Sequence, residues 1–325
     1  MIIVQLLILI AGFVALIKGA DFFVSGSAAV ARRFHVPGLI IGLTIVALGT
    51  SSPELAVSVS AALQGANEIA LSNVVGSNIF NLLGVLGVCS IIHALPVDRG
   101  VLKRDFPFTL FATTLILFIT YGLAVARGSG PSFAMDQQVG TISRLSGLIL
   151  LLLFAGYMAV LVRMAKQHPS EEAEEAPKPM GRCALLILLG LALIIGGGQA
   201  VVYSAKEIAR ALGMTETLIG LTVVAVGTSL PELVTSAVAA KKGETGLAIG
   251  NAVGSNTFNL LLILGTSALI HPIAVNMASV LDLAILLGIN VVAFCFAFTS
   301  RKVKRAEGVA MLLLYVGDVL FAILR

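Results

Sequence analysis

One passage occurs twice in this chain, and it limits the possible folds more than any other feature. Gly49-Thr50-Ser51-Ser52-Pro53-Glu54-Leu55 recurs as Gly227-Thr228-Ser229-Leu230-Pro231-Glu232-Leu233. Asn73-Val74-Val75-Gly76-Ser77-Asn78-Ile79-Phe80-Asn81 recurs as Asn251-Ala252-Val253-Gly254-Ser255-Asn256-Thr257-Phe258-Asn259, at the same offset of 178 residues. Aligning 39–87 with 217–265 needs no gap and gives 28 identities in 49 positions, far more than shared apolar composition would produce. Each copy sets a carboxylate, a proline and several hydroxyl and amide side chains inside a stretch otherwise fit for lipid. Such groups are costly at that depth and by default mark an ion or substrate pathway.

Composition places the chain in a bilayer. Hydrophobic residues make up 58%, charged residues 12%, and the mean hydropathy is +1.03, which excludes the soluble globular classes. A net charge of +4 would suggest a nucleic-acid partner in a soluble domain, but here the basic residues sit in short loops between apolar runs and report orientation. No nucleic acid and no obligate protein partner is expected. Cys89, Cys183 and Cys295 are scattered in apolar runs without paired or metal-ligand spacing, so they read as packing residues. The run 2–17 lacks a basic leading region and a small-residue cleavage site. It therefore reads as a first span rather than a signal peptide.

Runs of roughly 20 apolar residues cross a ~30 Å hydrocarbon core. Ten are expected, at 2–32, 37–63, 68–95, 105–126, 143–165, 182–210, 216–240, 246–271, 277–299 and 306–324. The strongly polar linker 166–181, with Glu171, Glu172, Glu174 and Glu175, divides the chain into 1–165 and 182–325, each with five spans. An odd number of spans per half makes the second half enter the membrane in the opposite sense. The fold class expected is thus an all-α membrane protein, ten transmembrane helices arranged as two inverted five-helix repeats. Loops on the linker side hold 15 of the 21 basic residues, Arg32, Lys103 and Lys242 among them, while Arg127, Arg144, Lys206, Arg210 and Arg325 fall on the other. By the positive-inside rule the linker is cytoplasmic and both termini lie outside, at the plasma (cell inner) membrane.

Pro53 and Pro231 fall in the middle of spans 2 and 7, where proline donates no N–H and clashes with the carbonyl four residues back, that of Gly49 or Gly227. Exposed carbonyls at that depth are tolerated only inside protein or along a hydrated cavity, and they suit a hard cation. Glu54 lies one turn beyond Thr50 and three residues beyond Ser51, so their oxygens share a face. Ser77 and Asn81, also i and i+4, offer a second oxygen face, with Asn73 one turn earlier. The other half repeats the set as Thr228, Ser229, Glu232, Asn251, Ser255 and Asn259. An in-plane pseudo-two-fold axis would bring both carboxylates together near the midplane. Oxygen-only ligation fits Ca²⁺ or Na⁺ and argues against zinc or copper. A site charge of −2 neutralises one Ca²⁺ or two monovalent ions, so the ions compete.

The duplicated G-T-S-x-P-E and G-S-N-x-F-N elements resemble the α-repeats of the Ca²⁺/cation antiporter superfamily, and within it the prokaryotic sodium/calcium exchangers. That resemblance implies Glu54 and Glu232 as principal ligands. Thr50, Ser51, Ser77 and Asn81, with Thr228, Ser229 and Ser255, would complete a cluster of Na⁺ and Ca²⁺ sites, while spans 1 and 6 slide during alternating access. Asn259 departs from members that carry aspartate there. It is nonetheless counted among the ligands, and it leaves the site without a third carboxylate.

Other polar residues read more plainly. Thr44 and Thr222 can bond back to their own helices. Lys18 and Asp21, at i, i+3, are expected to satisfy each other. His35, His93, His168 and His271 read as surface residues, and Asp318 has no duplicate. The function expected is exchange of Ca²⁺ for Na⁺ by alternating access, with no resident cofactor and no enzyme activity. The alternatives are H⁺ as counter-ion, since a carboxylate can hold a proton in place of a metal ion, and a passive cation channel whose carboxylates form a selectivity ring.

Overall fold

The computed structural model describes residues 2–65, 67–126, 134–167, 179–212 and 225–324. Long apolar helices form because a backbone in lipid must satisfy its own hydrogen bonds. In chain order they are α1 (Ile2–Arg33), the pair α2 (Gly38–Thr50) and α3 (Ser52–Leu63), α4 (Ile69–Ile92), α5 (Val101–Gly122) and α6 (Arg144–Gln167). The second half holds α7 (Met180–Ala211), α8 (Ala225–Thr228), α9 (Leu230–Lys241), α10 (Thr245–Ile270), α11 (Met277–Ser300) and α12 (Arg305–Leu324). Among the described residues, eight unbroken helices and the α2–α3 pair, bent by 49°, are long and apolar enough to cross a membrane. The start of span 7 with Thr222, most of the linker with His168, and Arg127 and Arg325 lie outside the described residues.

α4 and α10 are the most buried spans and form the centre, and α12 is the least buried. Close approach there depends on small residues, as expected where lipid removes any hydrophobic drive for helix association. Gly246, Gly250 and Gly254 line one face of α10 against Leu39, Gly42, Leu43 and Ala47 of α2. α1 and α7 pack against each other along their length. Gly12, Gly19 and Gly26, seven residues apart, meet Gly197, Gly190 and Cys183 in reverse order. Each half also lends its last helix to the other. Gly147 of α6 abuts Gly265 of α10, and Gly308 of α12 abuts Gly87 of α4. Phe154 packs edge-on to Phe258, and Tyr315 edge-on to Phe80.

The all-helical expectation omitted two short antiparallel strand pairs. β1 (Leu95–Pro96) pairs with β4 (Lys302–Val303), and β2 (Gln138–Ile142) with β3 (Ile273–Asn276). They arise because the inverted arrangement sets the loop after each half's third span beside a loop of the other half. Main-chain groups that have left the helices are then paired. The expected Lys18–Asp21 pair is also corrected: Asp21 bonds Lys242 at 2.7 Å, from α1 to the end of α9, and Lys18 is exposed. Tertiary packing outbids a local i, i+3 spacing. Thr44 donates to the Ile40 carbonyl at 2.7 Å. His35, His93 and His271 are exposed, and Asp318 is half-buried beside Tyr315.

The glycine contacts are directly testable. A Cβ at Gly190 would lie 2.6 Å from the Phe23 nitrogen and 2.7 Å from the Gly19 carbonyl oxygen, whereas one at Gly196 on the same helix meets nothing within 4 Å. Gly190→Ala should therefore destabilise the protein by about 1–3 kcal/mol, and Gly196→Ala should be neutral or stabilising by up to about 1 kcal/mol. Thermal melting of the purified protein in detergent reads the difference, and equal melting points for the two variants would contradict this packing.

Candidate cation-binding site

Local structure at the duplicated motif is a break rather than the kink that proline alone suggests. α2 ends at Thr50, Ser51 takes φ −82° and ψ 7°, and α3 begins at Ser52. In the second copy Ser229 takes φ −93° and ψ 7° between α8 and α9. Pro53 and Pro231 thus stand in the first turn of a new helix, where a missing N–H costs nothing. The break sets a helix C-terminus against a helix N-terminus deep in the protein. Glu54 and Glu232 lie in the first turns of α3 and α9, where the positive end of the helix dipole favours a carboxylate. Gly49 and Gly227 also let this region approach its neighbours. A Cβ on Gly49 would lie 2.8 Å from Phe23 of α1, and one on Gly227 would run into Val202 of α7.

The inverted halves complete each other's site. Ser51 Oγ donates to Glu232 Oε1 at 2.8 Å, and Ser229 Oγ donates to Glu54 Oε1 at 3.0 Å. Ser77 Oγ lies 3.0 Å from Ser229 Oγ, and Ser255 Oγ is 3.4 Å from Glu232 Oε1. Each carboxylate is therefore held by the serine at the helix break of the other half. Both are sealed from solvent, at 1% and 0% exposure. No Lys, Arg or His among the described residues bonds to either. Among the described residues, the remaining oxygens, Glu54 Oε2 and Glu232 Oε2, are buried without a hydrogen-bond partner, as are Asn259 Oδ1, Thr228 Oγ1 and both polar atoms of Asn81. Buried polar atoms are ordinarily paired. A set of unpaired acceptors around two carboxylates fits a cation that takes several oxygens in a flexible shell.

Of the expected site residues, the structure draws Glu232, Ser51 and Ser255 into one hydrogen-bonded group and Glu54, Ser229 and Ser77 into a second, each joining residues of both halves. Thr50 Oγ1 is engaged otherwise, donating to Asn251 Oδ1 at 2.9 Å. Asn251 does not offer a free oxygen, because its Oδ1 accepts from Thr50, and both Asn73 and Asn251 use their amide nitrogens to bond the glutamate-bearing helices. Asn73 Nδ2 donates to Ser58 Oγ at 3.0 Å and to the Glu54 carbonyl at 3.4 Å. Asn251 Nδ2 makes the mirror bonds to Ser236 Oγ at 2.9 Å and the Glu232 carbonyl at 3.3 Å. They tie the glutamate-bearing helices to α4 and α10. Asn81 and Asn259 sit in π-helical turns at Phe80–Val85 and Phe258–Ile263, a distortion common at functional sites. Among the described residues no three His, Cys, Asp or Glu side chains cluster.

Reading of single residues missed four members of this framework: Asn78, Asn256, Ser58 and Ser236. Duplication was the available signal, since each recurs at the same offset. It also missed Asp105, fully buried at the start of α5. There Arg104 donates to both carboxylate oxygens at 2.6 and 2.8 Å, and Tyr157 Oη donates at 2.8 Å. Arg104 also reaches the Met164 sulfur. That carboxylate is fully partnered and fastens α5 to α6.

Comparison with known proteins gives the same outline. The family described as sodium/calcium exchanger protein matches residues 4–163 and 183–324. The chain is 35% identical over 326 residues to the putative antiporter CaxA of Alkalimonas amylolytica, covering 97% of each. It is 32% identical over 341 residues to the sodium/calcium exchanger MaX1 of Methanosarcina acetivorans, again covering 97% of each. Among solved structures, the sodium-calcium exchanger NCX_Mj soaked with 2.5 mM Na⁺ and 0.1 mM Ca²⁺ superposes with a TM-score of 0.81 at 31% identity, covering 98% of this chain and 99% of that one.

Replacing either carboxylate by its amide halves the charge facing a bound cation while keeping size. Glu54→Gln and Glu232→Gln should each weaken Ca²⁺ binding by at least about a hundredfold, from loss of a charge contact worth several kcal/mol. Calorimetric titration of the purified protein in Na⁺-free buffer checks this. Affinity within about threefold of the parent's would remove that carboxylate from the ligand set.

Proposed function

Because the chain belongs to the sodium/calcium exchanger family, we propose that its buried oxygen cluster is the site where Ca²⁺ and Na⁺ compete during exchange across the membrane. The activity is antiport of Ca²⁺ against Na⁺. Glu54 and Glu232 supply the two negative charges. Ser51, Ser229 and Ser255 hold the carboxylates, Ser77 bonds Ser229, and Thr50, Thr228, Asn81 and Asn259 supply neutral oxygen. The observation that carries this reading is the set of unpaired buried acceptors around two carboxylates with no cationic side chain to balance them. One Ca²⁺ or two Na⁺ cancel a charge of −2, so a loaded site crosses the low-dielectric barrier at far lower cost than an empty one. Coupling follows from that difference. Complete burial of both carboxylates argues against an open ion-selective pore. We assign the chain transport and no chemical catalysis.

Orientation follows from charge. With the Arg32, Lys103 and Lys242 loops cytoplasmic, the glycine face of α10 on α2 seals the inner half of the pathway. On the outer side Gly76 is exposed and Asn73 half-buried, whereas their counterparts Gly254 and Asn251 are buried. This arrangement supports an outward-facing state in the cell inner membrane.

Two experiments test these assignments. In vesicles, an imposed Na⁺ gradient at clamped pH should drive Ca²⁺ flux, while a pH gradient in Na⁺-free buffer should drive little. Full exchange against H⁺ without Na⁺ would replace sodium by the proton as counter-ion. In a background without Cys89, Cys183 and Cys295, single cysteines at Arg32, Lys103 or Lys242 should be protected from an impermeant thiol reagent in intact cells. Cysteines at the exposed Met135 or Leu212 should label, and the reverse pattern would invert the topology.

A further inference from the structure

The two halves of the site are built alike but do not make the same bonds. Thr50 Oγ1 donates to Asn251 Oδ1, while the mirror-related Thr228 Oγ1 has no partner among the described residues. Asn259 Nδ2 donates to Asn78 Oδ1 at 3.1 Å. The mirror-related pair is open: both polar atoms of Asn81, and Oδ1 of Asn256, are buried and unpartnered among the described residues. Exposure differs in the same sense: Gly254 is buried where α10 meets α2, and Gly76 lies on an exposed, open flank of α4.

Asn78 and Asn256 face each other across the pseudo-two-fold axis. Asn78 Nδ2 donates to the Asn256 carbonyl at 3.5 Å, and Asn256 Nδ2 to the Asn78 carbonyl at 3.3 Å. That exchange is the same in both directions. It fixes each amide nitrogen and leaves the two Oδ1 atoms as the variable groups, one occupied and one empty.

We propose that Asn78 and Asn256 are reciprocal positioning residues: Asn78 clamps the amide of Asn259 in the state described, and Asn256 clamps that of Asn81 when the pathway opens to the other side. The inference rests on the antiport reading above. The two repeats share 28 of 49 aligned residues in opposite orientation. In an inverted-repeat antiporter the access states are reached by moving one repeat against the other, so each half can take up the contacts of its counterpart. A bond made in one half and broken in the other should therefore be exchanged as well. A clamped Asn259 presents Oδ1 to the site in a fixed direction, whereas the unclamped Asn81 is free to turn toward an ion arriving from the open side. Both clamps are neutral amides. They bias the access equilibrium without changing the site charge, and each state loses one buried hydrogen bond as the other gains it.

The test uses the full chain without its native cysteines and with Ser72→Cys as reporter, an exposed position one turn before Gly76 on the open flank. Labelling by an impermeant maleimide in intact cells reports the outward-open fraction. Asn78→Ala removes the clamp of the observed state and should lower the ratio of outward to inward forms by about five- to tenfold, the scale of one neutral hydrogen bond. Asn256→Ala should raise that ratio by a similar factor and slow Ca²⁺ turnover. The double variant should label within about twofold of the parent, because the two effects oppose. A folding defect would not be rescued in this way. Single variants that shift labelling in the same direction, or leave it at the parent's level, would overturn the clamp. Should the parent transport Ca²⁺ with Na⁺ while both variants label like it, the clamp alone fails. A parent without Na⁺-dependent Ca²⁺ flux would instead fail the antiport reading itself.

Discussion

Two like-charged carboxylates sealed from water in the middle of a membrane protein are the constraint on which the rest of this structure depends. An uncompensated charge there is among the most expensive features a fold can carry. The chain answers with helix ends rather than with lysine or arginine. Breaking the span at Ser51, and its mirror at Ser229, places each glutamate on the first turn of a helix. The serine at each break hydrogen-bonds the carboxylate of the other half. These partners steady the glutamates without cancelling their charge, so a mobile cation can supply the balance and can also leave.

The same logic explains where rigidity is concentrated. Asn73 and Asn251 pin the glutamate-bearing helices to α4 and α10 through backbone carbonyls. α6 and α12 cross to the opposite half and brace those two helices through paired glycines and edge-on aromatic contacts. α1 and α7 are locked to each other along seven-residue glycine repeats. Close backbone contact holds that pair together along its length. The buried carboxylates sit in the braced centre.

Symmetry built into the sequence is only partly expressed in the structure. The bonds from Ser51 to Glu232 and from Ser229 to Glu54 are nearly equivalent, while among the described residues the Ser255–Glu232, Thr50–Asn251 and Asn78–Asn259 bonds are formed on one side only. An exchanger needs both properties. Equivalence gives the two access states similar free energies, and local inequivalence is what distinguishes one state from the other.

Much of this was legible in the amino-acid order. The 178-residue duplication, the odd number of apolar runs in each half and the one-sided loop charges determined a ten-span inverted repeat. The cost of a carboxylate in lipid singled out Glu54 and Glu232, because no bland reading accounts for a charge at that depth occurring twice. Tertiary structure alone decided which groups touch. Spacing within one helix cannot reveal that Ser51 serves Glu232 rather than Glu54, that Asp21 meets Lys242 rather than Lys18, or that Asn251 already spends its oxygen on Thr50. Those pairings join residues more than 170 positions apart, and they exist only once the two inverted halves interlock. Local periodicity records the face of a helix on which a side chain lies, but the partner opposite that face is chosen by packing.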